Sequence, residues 1–217
     1  MIRLHHFHET RSMRSLWLLN ELGVEFEVVV QPFDKSMRSP EFLALNPVGR
    51  LPALELDGQV IWESGAITEV LCETFPKAGM GRMAGEPERA DWLIWVNFAE
   101  TISQHSAALT QQHVALYDDT MRSPVVMKLE AKRLEKCFGA LEERLIGRDY
   151  LLSAFSAADI SVGQAVYMSR HFARIEPFPA LSAWYARITA RPGFVASLPP
   201  EGADSLYGQD FYAPWPT

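Results

Sequence analysis

The chain has 217 residues, with 20 Lys and Arg against 27 Asp and Glu, a net charge of −7 and a hydrophobic fraction of 48%. That length holds one or two domains with a sizeable core, and the acidic balance with scattered basic residues excludes a nucleic-acid-binding surface. No apolar run is long enough to span a bilayer, and the start MIRLHHFHETRSMRS lacks the apolar core of a secretory signal. Cys72 and Cys137, the only cysteines, each fall in an apolar helical pattern and read as buried thiols rather than a disulfide, which makes a cytoplasmic location the expectation.

In chain order, Ile2 to Phe7 reads as a first strand and HETRS as the loop after it. Leu16, Leu19 and Leu22 recur at helical spacing, which predicts a helix from Met13 to Leu22 with Gly23 as its stop. Valine-rich Glu25 to Val30 is a second strand, Pro32 to Pro40 an irregular loop, and Glu41 to Leu45 a short helix. Ala53–Leu56 and Val60–Trp62 flank Asp57-Gly58, a strong hairpin signal, and Glu63-Ser64-Gly65 ends the return strand and starts a helix to Phe75. The order β-α-β-α-β-β-α is a small α/β sandwich.

Pro76 to Gly85 is turn-rich and without periodicity, and residues 79–85 are read as a linker between domains at 1–78 and 86–217. Beyond it no strand pattern appears. A helix is expected from Glu86 to about His113, with Trp92, Trp95, Ala99, Ile102 and Leu109 near one face. Another starts at Pro124 and repeats through Leu129, Leu134, Phe138, Leu141 and Leu145. Ser156 and Asp159 form a capping box before ISVGQAVYM, a helix apolar on most sides and so expected within the core; its role is folding. A last helix runs from Ala180 to about Ala190, ending before Pro192-Gly193, and the aromatic tail GQDFYAPWPT either walls a cleft or packs on the helices.

The stretch NPVGRLPALELDGQVIWES, residues 46–64, carries the chemistry. A proline entering a strand gives up a ladder donor, so Pro52 belongs at a strand's first position. If the bond before it is cis, Leu51 turns outward with both backbone groups open to an extended peptide. The helix opening at Ser64 offers N–H groups and a positive dipole end to a carboxylate, and Arg50 offers a planar fork to a second one. Peptide pairing between two anion sites suits a short, doubly acidic peptide such as glutathione.

NPVGRLPALELDG followed by ESGAI resembles the glutathione-binding signature of the cytosolic glutathione transferases, in order and spacing, and the chain length fits both of their domains. The resemblance implies a thioredoxin-like α/β first domain and an all-helical second one. It implies glutathione as co-substrate, bound by Arg50, Leu51, Pro52, Glu63 and Ser64, and a homodimer. HHFHETRSMRSLWLLNELG is similar to the bacterial and fungal members with a serine at the position of Thr10. There is no tyrosine in the first strand and no cysteine in the turn, as other classes have.

Glutathione reacts as its thiolate, and lowering a thiol pKa near 8.5 by about two units takes roughly 2.7 kcal/mol of differential stabilisation. A hydroxyl donor close to a helix N-terminus and a guanidinium supplies that. By the resemblance Thr10 is the first choice for the hydrogen bond to sulfur and Ser12 the second, with Arg14 or Arg11 adding positive potential. A hydroxyl at either position also serves as an ordinary helix cap. His5, His6 and His8 make no metal site, because strand alternation sends His5 and His6 to opposite faces and no second ligand cluster follows. The expected activity is conjugation of glutathione to small electrophiles, a detoxification chemistry, with the electrophile against the helix that begins near Glu86. The rivals are glutathione-dependent reduction of disulfides or peroxides, isomerisation, and a non-catalytic scaffold of the same fold.

Overall fold

A computed structural model describes residues 1–32 and 34–213. Phe33 and residues 214–217 lie outside them, and with the latter the end of the aromatic tail expected to wall a cleft or pack on the helices. The chain divides into two compact units, residues 1–92 with 190–205, and residues 93–189 with the stretch that begins at Leu206.

In the first unit β1 (Ile2–His6) is followed by α1 (Ser12–Leu22) and β2 (Glu27–Val30), then a 3-10 turn at Lys35–Arg38 and α2 (Pro40–Leu45). The hairpin β3 (Ala53–Leu56) and β4 (Gln59–Trp62) leads into α3 (Ser64–Thr74). Among the described residues the strands form one sheet in the order β2-β1-β3-β4. β1 runs parallel to β2 and antiparallel to β3, with Leu4 opposite both Val28 and Leu54. The Asp57-Gly58 turn has φ of 49° and 86°, the two left-handed positions that a tight hairpin of this twist demands. The loop expected between Pro32 and Pro40 is partly ordered: Asp34 caps its 3-10 turn, and Ser39 caps α2 by accepting from the Phe42 amide. α1 lies against β1 and α3. It buries Met13, Leu16, Trp17, Leu18 and Leu19, and Gly23 ends it at φ 65°.

The second unit is helical. α4 (Arg89–Thr110) starts three residues later than Glu86, because the chain turns at Met83–Glu86 first, and only its opening turn belongs to the first unit. A wider turn at Gln111–Ala115 extends it. α5 (Pro124–Leu145) has Pro124 in its first turn and Ser123 as cap, and buries Met127, Ala131, Leu134, Phe138, Leu141 and Leu145 at helical spacing.

α6 (Ala157–Ser169) is buried on nearly every side, and the capping box of Ser156 and Asp159 is formed. Asp159 is fully buried and accepts from the Leu151 amide at 2.9 Å, the Trp184 indole at 2.9 Å and the Ser156 amide at 3.0 Å. Burial pushes its carboxyl above the usual range, and these donors work the other way. The Trp184 indole comes from α7 (Pro179–Thr189), so one carboxylate ties a helix start to the next helix as well as to its own loop.

After α7 the chain re-enters the first unit as α8 (Pro192–Val195), a four-residue helix where Pro192-Gly193 had been read only as a stop. Pro192 fits because a first-turn residue needs no N–H donor. Phe194 meets the Trp17 ring edge-on at 4.9 Å. Arg191 grips Glu21 through two hydrogen bonds, at 2.9 and 2.6 Å.

Candidate active site

Three segments of the first unit converge. The loop between β3 and α2 is tied by Asn46, whose side chain donates to the Arg50 carbonyl at 2.7 Å and accepts from the Val48 amide at 3.0 Å. Gly49 sits at φ 64°, and a Cβ there would lie 2.8 Å from the Met37 carbonyl oxygen, so only glycine passes. The Leu51–Pro52 bond is cis. Among the described residues neither backbone group of Leu51 has a hydrogen-bond partner, which leaves a donor and an acceptor side by side for an extended peptide.

The second segment is the entry to α3. Glu63 holds φ 73° and caps the helix without a side-chain hydrogen bond, so no side chain of its own closes the first turn. Ser64 is buried, and its hydroxyl accepts from the guanidinium of Arg14 at 2.9 Å. Arg14 is fully buried. A guanidinium directly behind a helix N-terminus adds its charge to the dipole end, and both favour a carboxylate laid at Ser64. Arg50, Leu51, Pro52, Glu63 and Ser64 line one cleft of about 120 Å³ with Asn46, Val48 and Arg11.

The third segment is the turn from β1 to α1. Arg11 occupies the cap position of α1 without a side-chain capping bond. Thr10 is partly exposed; its hydroxyl donates to the Phe7 carbonyl at 2.8 Å and lies 2.7 Å from the Ser12 hydroxyl. Ser12 is fully buried, and its oxygen also meets the Phe7 amide at 3.2 Å and His6 Nδ1 at 2.8 Å. Burial, with the neighbouring His8, pushes the His6 pKa down to about 4, so its ring is neutral at pH 7. His5 faces elsewhere, toward Glu55 and Gln31. Among the described residues no group of His, Cys, Asp or Glu side chains could hold a metal ion. Cys72 is buried with its thiol pushed up to about 12, chiefly by desolvation, and is inert as a nucleophile.

The sites foreseen for the two ends of the peptide thus share one cleft, whereas the hydroxyls stand in the adjoining turn. Three contributors were not foreseen: Asn46 as the tie of its loop, Arg14 as the support of Ser64, and His6 as a partner of Ser12. The Asn-Pro pair signalled a turn but not its partner, and nothing in the sequence pairs Arg14 with a residue fifty positions on.

The family model for the glutathione S-transferase N-terminal domain matches residues 1–72, and that for the C-terminal domain matches residues 92–187. The chain belongs to the glutathione S-transferase family. The transferase is 31% identical over 207 residues to glutathione S-transferase 4 of Zea mays, covering 91% of this chain and 92% of that one. Among solved structures it resembles the glutathione transferase URE2P8 of Phanerochaete chrysosporium with oxidized glutathione, at 26% identity and a TM-score of 0.80, covering 90% of this chain and 92% of that chain. A sphingomonad glutathione S-transferase complexed with glutathione is similar at 27% identity and a TM-score of 0.76, covering 90% and 96%. The thioredoxin-like sheet followed by a helical unit is the fold of this family, and the protein is a transferase enzyme that works with glutathione. None of these likenesses favours a reductase, an isomerase or a scaffold.

Proposed function

We propose that the transferase conjugates glutathione to small electrophiles, with Thr10 donating the hydrogen bond that holds the sulfur as thiolate. The supporting observation is the single cleft that gathers Arg50, Leu51, Pro52, Glu63 and Ser64 beside the turn that carries Thr10. The γ-glutamyl carboxylate sits at Ser64 with Glu63 near its ammonium, the cysteinyl backbone pairs with Leu51, and Arg50 takes the glycyl carboxylate. In this reading Ser12 supports Thr10 from behind and Arg14 acts through Ser64, while Arg11 lends positive potential from the cleft wall. Residues 1–78 bind glutathione, 79–85 link, and 86–217 supply the helical partner domain apart from 190–205, which return to the first unit. The enzyme works in the cytoplasm as a homodimer, which light scattering tests directly.

The deciding experiment follows the ultraviolet thiolate band of bound glutathione against pH. Wild type titrates well below the free thiol's value near 8.5. Thr10→Ala moves the midpoint up by about one unit, equivalent to roughly 1.4 kcal/mol of lost stabilisation, and Ser12→Ala moves it less. A midpoint unmoved by Thr10→Ala overturns the assignment of the donor.

A further inference from the structure

The turn between β1 and α1 contains more hydrogen-bond contacts than protons to fill them, and the arithmetic of those protons singles out a buried residue that does not line the cleft. The Ser12 oxygen has four neighbours: the Phe7 amide, the Phe7 carbonyl at 3.1 Å, the Thr10 hydroxyl and His6 Nδ1. It owns one proton and two acceptor lone pairs. The Phe7 amide fills one lone pair. The other is contested between His6 and Thr10.

His6 is itself constrained. Its ring is buried, and Nε2 has no hydrogen-bond partner among the described residues. A buried N–H without a partner is the rarer arrangement, and a spare acceptor is the better tolerated one. The proton therefore belongs on Nδ1, where it is donated to Ser12. With both lone pairs of Ser12 then filled, Thr10 has no acceptor at Ser12. The 2.7 Å contact between the hydroxyls is made in the opposite sense, from Ser12 to Thr10. Thr10 also accepts the Ser12 amide at 3.3 Å, so its own proton points away from Ser12, to the Phe7 carbonyl in the free enzyme.

We propose that His6 is a positioning residue for the thiolate, acting through the Ser12 hydroxyl to keep the Thr10 proton directed outward, where it turns from the Phe7 carbonyl to the sulfur. This rests on Thr10 being the donor. Without the His6 N–H, Ser12 has an open lone pair, Thr10 donates to it, and the sulfur loses the Thr10 proton to that competing acceptor. The His8 ring lies 5.2 Å from the His6 ring, and the relay needs only that His6 carry a proton on Nδ1.

The test deletes the donor while keeping the ring's bulk. His6→Phe raises the thiolate midpoint of bound glutathione by about half a unit to one unit, with the affinity for S-methylglutathione, which has no thiol, unchanged in calorimetry. His6→Asn, whose amide N–H reaches the Nδ1 position, titrates like wild type. His6→Gln, whose amide reaches only the Nε2 position, behaves like His6→Phe and serves if the phenylalanine variant does not fold. The double variant of His6→Phe with Thr10→Ala titrates no higher than Thr10→Ala alone, because His6 acts only through Thr10. Wild-type titration by both His6→Phe and His6→Gln, or summed shifts in the double variant, overturns the relay while Thr10 stands as donor. If Thr10→Ala itself titrates like wild type, the donor assignment falls first and the relay with it.

Discussion

Helices α3 and α6 each have a serine at their entry, and they open in opposite ways. α6 is sealed by its own chain: Ser156 and Asp159 form a capping box, and Asp159 collects an indole from α7 and an amide from its own loop. α3 has no side-chain cap, its cap residue Glu63 stands at positive φ, and Ser64 uses its hydroxyl to hold Arg14. A helix end must give its first N–H groups some partner. Where α6 meets that demand with its own capping side chains it gains stability; α3 has no such side-chain cap, which fits the proposed anion site at its entry.

The sharpest way to break this contrast is Asp159→Ala. It strips an acceptor from three buried donors at once, each costing about 1–3 kcal/mol when left unpaired, so urea unfolding should register a loss above about 3 kcal/mol. Glutathione affinity of the folded fraction should stay as it is. An equal loss of affinity would mean that the sealed helix start serves binding after all.

Next in size is the acid limb of stability. His6 has a folded pKa of about 4 against an ordinary 6.5. The unfolded chain therefore binds the proton first, and stability falls as pH drops from about 6.5 to about 4. At 1.36 kcal/mol per unit the loss is on the order of 3 kcal/mol. Asp159, pushed upward by burial, does not add to it. Urea midpoints across that window check the slope, and His6→Phe should flatten it.

The two serines then give a paired test. Ser156→Ala should cost about 1 kcal/mol of stability and leave glutathione affinity untouched. Ser64→Ala should weaken glutathione about tenfold, equivalent to 1.4 kcal/mol, as read by calorimetry. Swapped outcomes would reverse the comparison. The smallest effect is expected at Glu63→Gly, which relieves the positive φ and should raise the melting stability by up to about 1 kcal/mol while weakening binding.

What the sequence made legible was local. Asp57-Gly58 wrote the hairpin, Ser156 and Asp159 wrote the cap, and Arg50, Leu51, Pro52, Glu63 and Ser64 are near enough in sequence for their spacing to declare a cleft. The pairing of Arg14 with Ser64 and of Arg191 with Glu21 depends on packing between distant segments, which periodicity does not encode. Ser12 looked as available as Thr10 because both are small hydroxyl residues in one turn; only burial separates the one facing inward from the one partly exposed. α8 escaped notice because four residues cannot show a helical period, and Pro-Gly ordinarily marks an end.

The grip of Arg191 on Glu21 and of Phe194 on Trp17 has a consequence for how the molecule is made. The sheet and its first three helices leave the ribosome before the residues that shield Trp17, which follow only after α4 to α7 have been made. Until they arrive, an indole and a carboxylate meant for the interior stay uncovered, so the newborn first unit waits on the intervening helices before it is complete. A fragment ending at the linker would inherit that same exposed flank permanently.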